Sequence, residues 1–223
     1  MDSEKILSKA RAYVKDEKNE LFRKEVSDLL DANDLEGLNE RFYSDLAFGT
    51  GGLRGIIGGG SNRINSYNIK RATQGVANYI LKTVDKRKAS VVIAYDSRRY
   101  SDLFALEAAR VLCGNGIKTW LFTSLRPTPE LSFAVRHLKA TAGIVVTASH
   151  NPPEYNGYKV YWSDGGQVIP PHDTGIVKEA QTVTDIIDID DEKAREQGLL
   201  VMIDEEVDAP FIQMVKSLAL RPQ

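Results

Sequence analysis

The chain has 223 residues, enough for one large or two small domains around a sizeable buried core. Its 29 Lys+Arg against 31 Asp+Glu leave a net charge of −2, so no overall field draws it to nucleic acid or an anionic membrane, and any recognition of anions must be local. A lone cysteine, Cys113, excludes an internal disulfide. No apolar run reaches the ~18 residues of a membrane span, and neither a signal-peptide core nor a glycosylation sequon occurs, which makes a reducing cytoplasm the expected setting.

Residues 1–45 are charged and read as helix, with Leu21, Phe22, Val26, Leu29 and Leu30 at helical spacing. This is a lead-in expected to pack on a main domain over residues 46–205. Between Gly49 and Gly60 stand seven glycines in twelve residues. Such density serves φ > 0 or close approach of backbone to an anion, yet neither nucleotide fingerprint fits, since no G-K-[ST] follows and no three glycines satisfy G-x-G-x-x-G. Gly58-Gly59-Gly60 reads as a flexible hairpin turn; Arg54, inside the same loop, carries a forked donor set suited to phosphate.

A helix is expected from about Ser66, with Ile69, Ala72, Val76 and Ile80 on one face. The alternation then becomes regular: strand Ser90–Tyr95, a helix capped by Ser101 and ending near Gly114, strand Lys118–Thr123, a helix opened by Thr128-Pro129, and strand Ala142–Thr147. Cys113 falls among Leu106, Ala109, Val111 and Leu112 and is expected in the core rather than reactive. Strands alternating with helices give an α/β fold with a mostly parallel sheet and helices on both faces. A return strand, Tyr158–Trp162, makes the sheet mixed. Asp164-Gly165-Gly166 reads as a turn, because one carboxylate falls short of what Mg²⁺ requires. Beyond it come an acidic stretch over 182–192, a short helix over Lys193–Gly198, a strand over Leu199–Ile203 and a helix beginning at Asp208.

The stretch Thr147-Ala-Ser-His-Asn-Pro-Pro-Glu-Tyr-Asn-Gly157 puts one serine, Ser149, on a stiff polar loop after a buried strand. Pro152 and Pro153 forbid helix and Asn156-Gly157 signals a turn. A turn-capping serine is the plain alternative. Acyl-hydrolase chemistry is disfavoured, because the glycines two residues either side of a hydrolase serine are replaced by Thr147 and Asn151. His150 adjoins Ser149, but neighbours in extended backbone point apart, so a positioning or phosphate-contacting role is expected of it.

The run T-A-S-H-N-P followed by N-G-Y-K resembles the phosphoserine loop of the α-D-phosphohexomutases, the phosphoglucomutase and phosphomannomutase superfamily. Phe48-Gly-Thr-Gly-Gly-Leu-Arg-Gly55 is similar to that family's F-G-T-x-G-x-R-G signature, and Ala94-Tyr-Asp-Ser-Arg-Arg-Tyr-Ser101 to its D-x-R element. The form of the first signature and the long lead-in look more like the phosphoglucomutase/phosphomannomutase branch, phosphoglucomutase-2-like proteins included, than like phosphoglucosamine mutases.

The resemblance implies that Ser149 carries a phosphoryl group, which it gives to a hexose phosphate and regains through a sugar bisphosphate. It implies Mg²⁺ held partly through the phosphate on Ser149, with glucose 1,6-bisphosphate or an equivalent as activator. Lys159 becomes a general acid/base or holds the attacking hydroxyl, Arg54 stabilises transition-state charge, and Asp96, Arg98 and Asn151 support the loop. The coverage is the first of the family's four domains, with residues 206–223 opening the second. The D-G-D-x-D-R metal loop, the sugar-selecting loop and the distal phosphate loop do not occur in this sequence, so the remaining domains of a longer protein are the implied partners. A stand-alone module that binds phosphosugars without turnover is the alternative.

Overall fold

The computed structural model describes residues 3–49 and 51–220. In chain order its elements are α1 (Ser3–Asp16), α2 (Glu20–Asp31), α3 (Leu35–Phe42), β1 (Gly52–Ile56), α4 (Ser66–Thr83), β2 (Ser90–Tyr95), α5 (Ser101–Gly114), β3 (Lys118–Phe122), α6 (Thr128–His137), β4 (Ala142–Val146), β5 (Tyr155–Trp162), α7 (His172–Gln181), α8 (Asp191–Glu196), β6 (Leu200–Ile203) and α9 (Glu205–Ser217). The strands form one mixed sheet in the order β1-β5-β4-β2-β3-β6. β2 runs parallel to β3 and β4, and β3 parallel to β6; β5 returns antiparallel to β4, with β1 antiparallel at the edge. Every residue of β2 and β4 is buried, which is why their sequences are unbroken apolar runs rather than alternations.

Helices cover both faces. Ile69 and Val76 of α4, Leu112 of α5 and Ile176 of α7 share one core with Ile93, Ile144 and Tyr158. On the other face Leu131 and Val135 of α6 and Val207 at the start of α9 pack with Val92, Val145 and Phe122. Cys113 belongs to the first core, where burial pushes its thiol up, as the sequence leads one to expect of a structural cysteine. Among the described residues no helix is long and apolar enough to cross a membrane.

α1–α3 gather around Ile6, Ala10, Tyr13, Val26, Leu38 and Phe42. Phe22 leaves that cluster to stack on Phe104 of α5, with ring centroids 5.9 Å apart, while its neighbour Leu21 faces outward, contrary to its place in the helical pattern. Gly58-Gly59-Gly60 is the seat of this contact, not a flexible turn: all three are buried. A Cβ on Gly59 would lie 2.3 Å from the Phe22 carbonyl oxygen and one on Gly60 2.8 Å from the Arg41 Cβ. Glu25 accepts from the Gly59 amide, Arg41 donates to the Gly59 carbonyl, and Asn65 Nδ2 donates to the carbonyls of Gly58 and Gly60.

Four boundaries differ from the sequence-based expectations. β5 begins at Tyr155, so Asn156-Gly157 is strand rather than turn: β1 on one side and β4 on the other hold it in the ladder. Ser101 is the first helical residue of α5 and not its cap; Tyr100 holds that place at φ 62° with no side-chain cap bond. α8 starts at Asp191 because Asp190 caps it by accepting from the Glu192 amide, and Gly198 at φ 68° lies beyond its end. α9 starts at Glu205, with Glu205, Glu206 and Asp208 in the first turn, where the helix dipole favours acids.

Candidate active site

Ser149 sits where the chain leaves β4, at φ 57°. The left-handed region costs a non-glycine residue on the order of 1 kcal/mol, and here the surrounding bonds set the conformation. Thr147 Oγ1 accepts from the Ser149 amide at 2.9 Å, and the Asn151 amide donates to the Ala148 carbonyl at 3.1 Å. The turn that results brings Ser149 Oγ to 3.1 Å from His150 Nδ1, a contact that the extended backbone expected from the sequence would not allow.

Arg98, from the loop after β2, grips this turn from below. Its guanidinium donates to the carbonyls of Ser149 (2.9 Å), Asn151 (2.6 Å), Pro152 (2.9 Å) and Tyr155 (2.9 Å). A planar fork with several fixed donors is what such a convergence of carbonyls demands. Asp96 lies 3.8 Å from Arg98 Nε, so the carbonyl bonds rather than that ion pair hold the loop. What Asp96 does closely is accept from the Arg98 amide (3.1 Å) and from Ser101 Oγ (3.0 Å). Ser101 Oγ in turn accepts from Asn156 Nδ2 at 3.0 Å, and that amide also donates to the Arg99 carbonyl. Ser101 and Asn156 are both fully buried. A polar chain thus ties β5, α5 and the loop after β2 to the serine turn; the N-G-Y-K and D-S-R-R-Y-S runs name its members, but nothing in sequence spacing pairs Ser101 with Asn156.

Arg54 and Lys159 come together through strand register. Gly52 stands opposite Lys159 and Arg54 opposite Gly157, so both cations project from the same face as diagonal neighbours, each facing a glycine. Gly157 has no room for a side chain: a Cβ would lie 2.6 Å from the Thr147 carbonyl oxygen and 2.9 Å from that of Leu53. Arg54 is exposed and donates to Asn151 Oδ1 at 3.1 Å, which links β1 to the serine loop. Lys159 is half-buried. The two line a cleft of about 480 Å³ with Thr147, Gly51, Gly52 and Gln167. Gln167, which sequence reasoning did not single out, returns beside Tyr161 and packs against Gly51. Thr50, in the glycine-rich signature, lies outside the described residues.

The structure therefore brings Ser149, His150, Asn151, Arg54, Asp96 and Arg98 into one bonded assembly, with Lys159 across the adjoining cleft. Among the described residues no group of three or more His, Cys, Asp or Glu side chains could hold a metal ion. The side chains present do not compose a Mg²⁺ site by themselves.

A family model for the phosphoglucomutase/phosphomannomutase alpha/beta/alpha domain I matches residues 45–186. The chain belongs to the phosphoglucomutase/phosphomannomutase family. It is 46% identical over 165 residues to the probable phosphoribomutase of Schizosaccharomyces pombe, covering 74% of this chain and 28% of that protein. To the Homo sapiens phosphopentomutase it is 42% identical over 167 residues (72% and 27%), and to the phosphoglucomutase of Staphylococcus saprophyticus 39% over 196 residues (86% and 35%). The chain thus spans about a third or less of these relatives. Among solved structures, the putative phosphomannomutase from Thermus thermophilus superposes with a TM-score of 0.65 at 31% identity, covering 79% of this chain and 37% of the other. These family relatives are mutases, of hexose phosphates by some names and pentose phosphates by others.

Proposed function

We propose that this chain is the nucleophile-bearing part of a sugar-phosphate mutase, with Ser149 as the phosphoryl carrier. The observation that carries this reading is the placement of an accessible Ser149 hydroxyl on a turn fixed by Arg98, beside a cleft whose two cations, Arg54 and Lys159, have no carboxylate partner among the described residues. Family membership supplies the reaction class.

In the forward half-reaction the bond between Ser149 Oγ and phosphorus breaks as a sugar hydroxyl oxygen bonds to that phosphorus. The hydroxyl proton passes to Lys159, acting as base, while Ser149 Oγ departs and takes a proton from solvent, and a sugar bisphosphate results. In the reverse half the bisphosphate, turned end for end, returns its other phosphoryl group to Ser149, whose proton goes back to solvent as the departing sugar oxygen recovers one from Lys159. Arg54 stabilises charge on the phosphoryl oxygens; His150, 3.1 Å from the serine oxygen, orients the ester. Asn151 holds Arg54, and Asp96 and Arg98 hold the loop. Mg²⁺ when bound would neutralise phosphoryl charge, held in part through the phosphate on Ser149, with its remaining ligands from outside the described residues.

The substrate proposed is a hexose phosphate, glucose or mannose, with a sugar bisphosphate as activator and the cytoplasm as location. The phosphopentomutase names among the relatives make a pentose phosphate an explicit competitor. The test is a coupled assay of the longer protein with glucose 1-phosphate and with ribose 1-phosphate, each with its bisphosphate and Mg²⁺. Turnover of either that vanishes in Ser149→Ala supports the carrier role, and their ratio assigns the substrate. Phosphosugar binding without turnover of any of them would favour the stand-alone binding module.

A further inference from the structure

Gln167 lines the cleft beside Ser149, and no step of the two half-reactions uses it. Strand register explains its place. Along β5 the residues Gly157, Lys159 and Tyr161 share one face, and opposite them on the β1 side stand Arg54, Gly52 and, through an antiparallel bridge, Gln167. β1 itself ends at Gly52. The Val160 amide donates to the Gly51 carbonyl while the Val160 carbonyl accepts from the Val168 amide, so the chain returning after Gly165-Gly166 takes over the row that β1 leaves. On this face the order is therefore Arg54, Lys159, Gln167, spread over about 13 Å of strand at about 3.3 Å per residue. The Gln167 side chain lies over Gly51, where a Cβ would meet its amide nitrogen at 2.3 Å, so only glycine leaves the amide this position.

The other polar side chains of the cleft already have their chemistry. Arg54 and Lys159 bring charge, Arg54 also donates to Asn151 Oδ1, and Thr147 Oγ1 accepts from the Ser149 amide. Gln167 carries the one side-chain amide among the described lining residues, and that amide has no hydrogen-bond partner among the described residues. An amide both donates and accepts. A phosphoryl dianion offers acceptors alone and leaves the amide oxygen unused, whereas a sugar hydroxyl matches both halves of the group.

We propose that Gln167 is a substrate-binding residue that reads the hydroxyl next to the one that attacks the phosphoryl group. For an aldose 6- or 5-phosphate, whose anomeric hydroxyl meets Lys159, that neighbour is the 2-hydroxyl. The inference rests on the reading of Ser149 as phosphoryl carrier, which puts the transferred group at the Ser149–Arg54 end, the attacking oxygen at Lys159 and the sugar beyond it toward Gln167. Hexose and pentose phosphates both carry a 2-hydroxyl beside the anomeric carbon, so the contact serves either. What it separates is a sugar from its 2-deoxy form.

The test is a substitution cycle on the longer protein. Initial rates of 1-phosphate formation give kcat/KM for glucose 6-phosphate and ribose 5-phosphate and for the 2-deoxy form of each, in the unsubstituted protein, Gln167→Met and Gln167→Ala. Methionine keeps a long side chain over Gly51 without either half of the amide; alanine removes both. The unsubstituted protein is expected to prefer the 2-hydroxy sugar by about three- to tenfold, the scale of one neutral hydrogen bond, and the preference is expected to shrink by that factor in both variants. No preference in the unsubstituted protein, a preference that persists in both variants, or losses that strike both sugars alike, as packing on Gly51 alone would give, overturns the inference while Ser149-dependent turnover stands. Absence of Ser149-dependent turnover with every sugar phosphate overturns the carrier reading, and this contact with it.

Discussion

Ser149 Oγ and His150 Nδ1 are 3.1 Å apart although the two residues are sequence neighbours, because Ser149 turns to φ 57°. An imidazole so placed stands beside the serine oxygen, where it can position a group without itself exchanging the proton. His150→Ala in the longer protein is expected to lower turnover by less than the roughly 10² to 10⁴ that a general acid–base group contributes, without changing the shape of the pH–rate profile. Loss of one limb of that profile would make His150 the titrating base instead.

Arg98 donates to four carbonyls of the serine loop with one planar group. Arg98→Lys keeps the charge and loses the fork, so it is expected to behave as a damaged variant rather than a conservative one. Charge-assisted bonds contribute about 1.5–3 kcal/mol each when removed, less where water replaces them. A fall of about 2 kcal/mol in urea-unfolding stability is expected, with faster hydrogen exchange over residues 148–156. Unfolding and exchange identical to the unsubstituted chain would mean that the clamp is idle.

Sequence reading reached the central sheet because β2 and β4 are almost wholly apolar and, with β3, alternate with amphipathic helices, and it singled out Ser149, Arg54 and Lys159, which the fold brings to one end of the sheet, because three motifs stand in order. It failed where long-range partners override local signals. Asn156-Gly157 reads as a turn by itself, yet β1 and β4 draw it into a strand and fill the space over Gly157 with two carbonyls. Gly58-Gly59-Gly60 reads as flexible, but the density of glycine there answers to helices α2 and α3 arriving from earlier in the chain. The strand β1 went unseen because glycine-rich sequence carries little β signal. The Ser101–Asn156 bond joins residues 55 positions apart and leaves no periodicity to find.

Gly59 gives a direct check on the lead-in's seat. A methyl there meets the Phe22 carbonyl oxygen at 2.3 Å and Val26 Cγ2 at 2.8 Å, both in α2. Gly59→Ala is expected to cost about 1–3 kcal/mol by overpacking and to raise hydrogen exchange in α2 more than in β4. Unchanged thermal unfolding would show that α2 moves aside freely.

Lys159 and Arg54 each stand opposite a glycine of the other's strand, Gly52 and Gly157, and only Lys159 is given the proton-transfer role. Lys159→Ala is expected to lower turnover by about 10² to 10⁴ with a smaller change in KM. A loss below about threefold, on the scale where acid–base chemistry operates, would return Lys159 to the class of surface lysines.

The account stands most directly on one measurement: mutase turnover of Ser149→Ala in the longer protein, with phosphate mapped on the tryptic peptide that spans the serine loop. In the proposed mechanism Ser149 carries the phosphoryl group in both half-reactions, so no bypass through His150 or Arg54 is available. The expected result is a loss of several orders of magnitude in turnover and of the peptide's phosphate, with hydrogen-exchange protection of β2 and β4 retained. Turnover close to that of the unsubstituted protein, or a phosphate that remains on the loop peptide after the substitution, would contradict it.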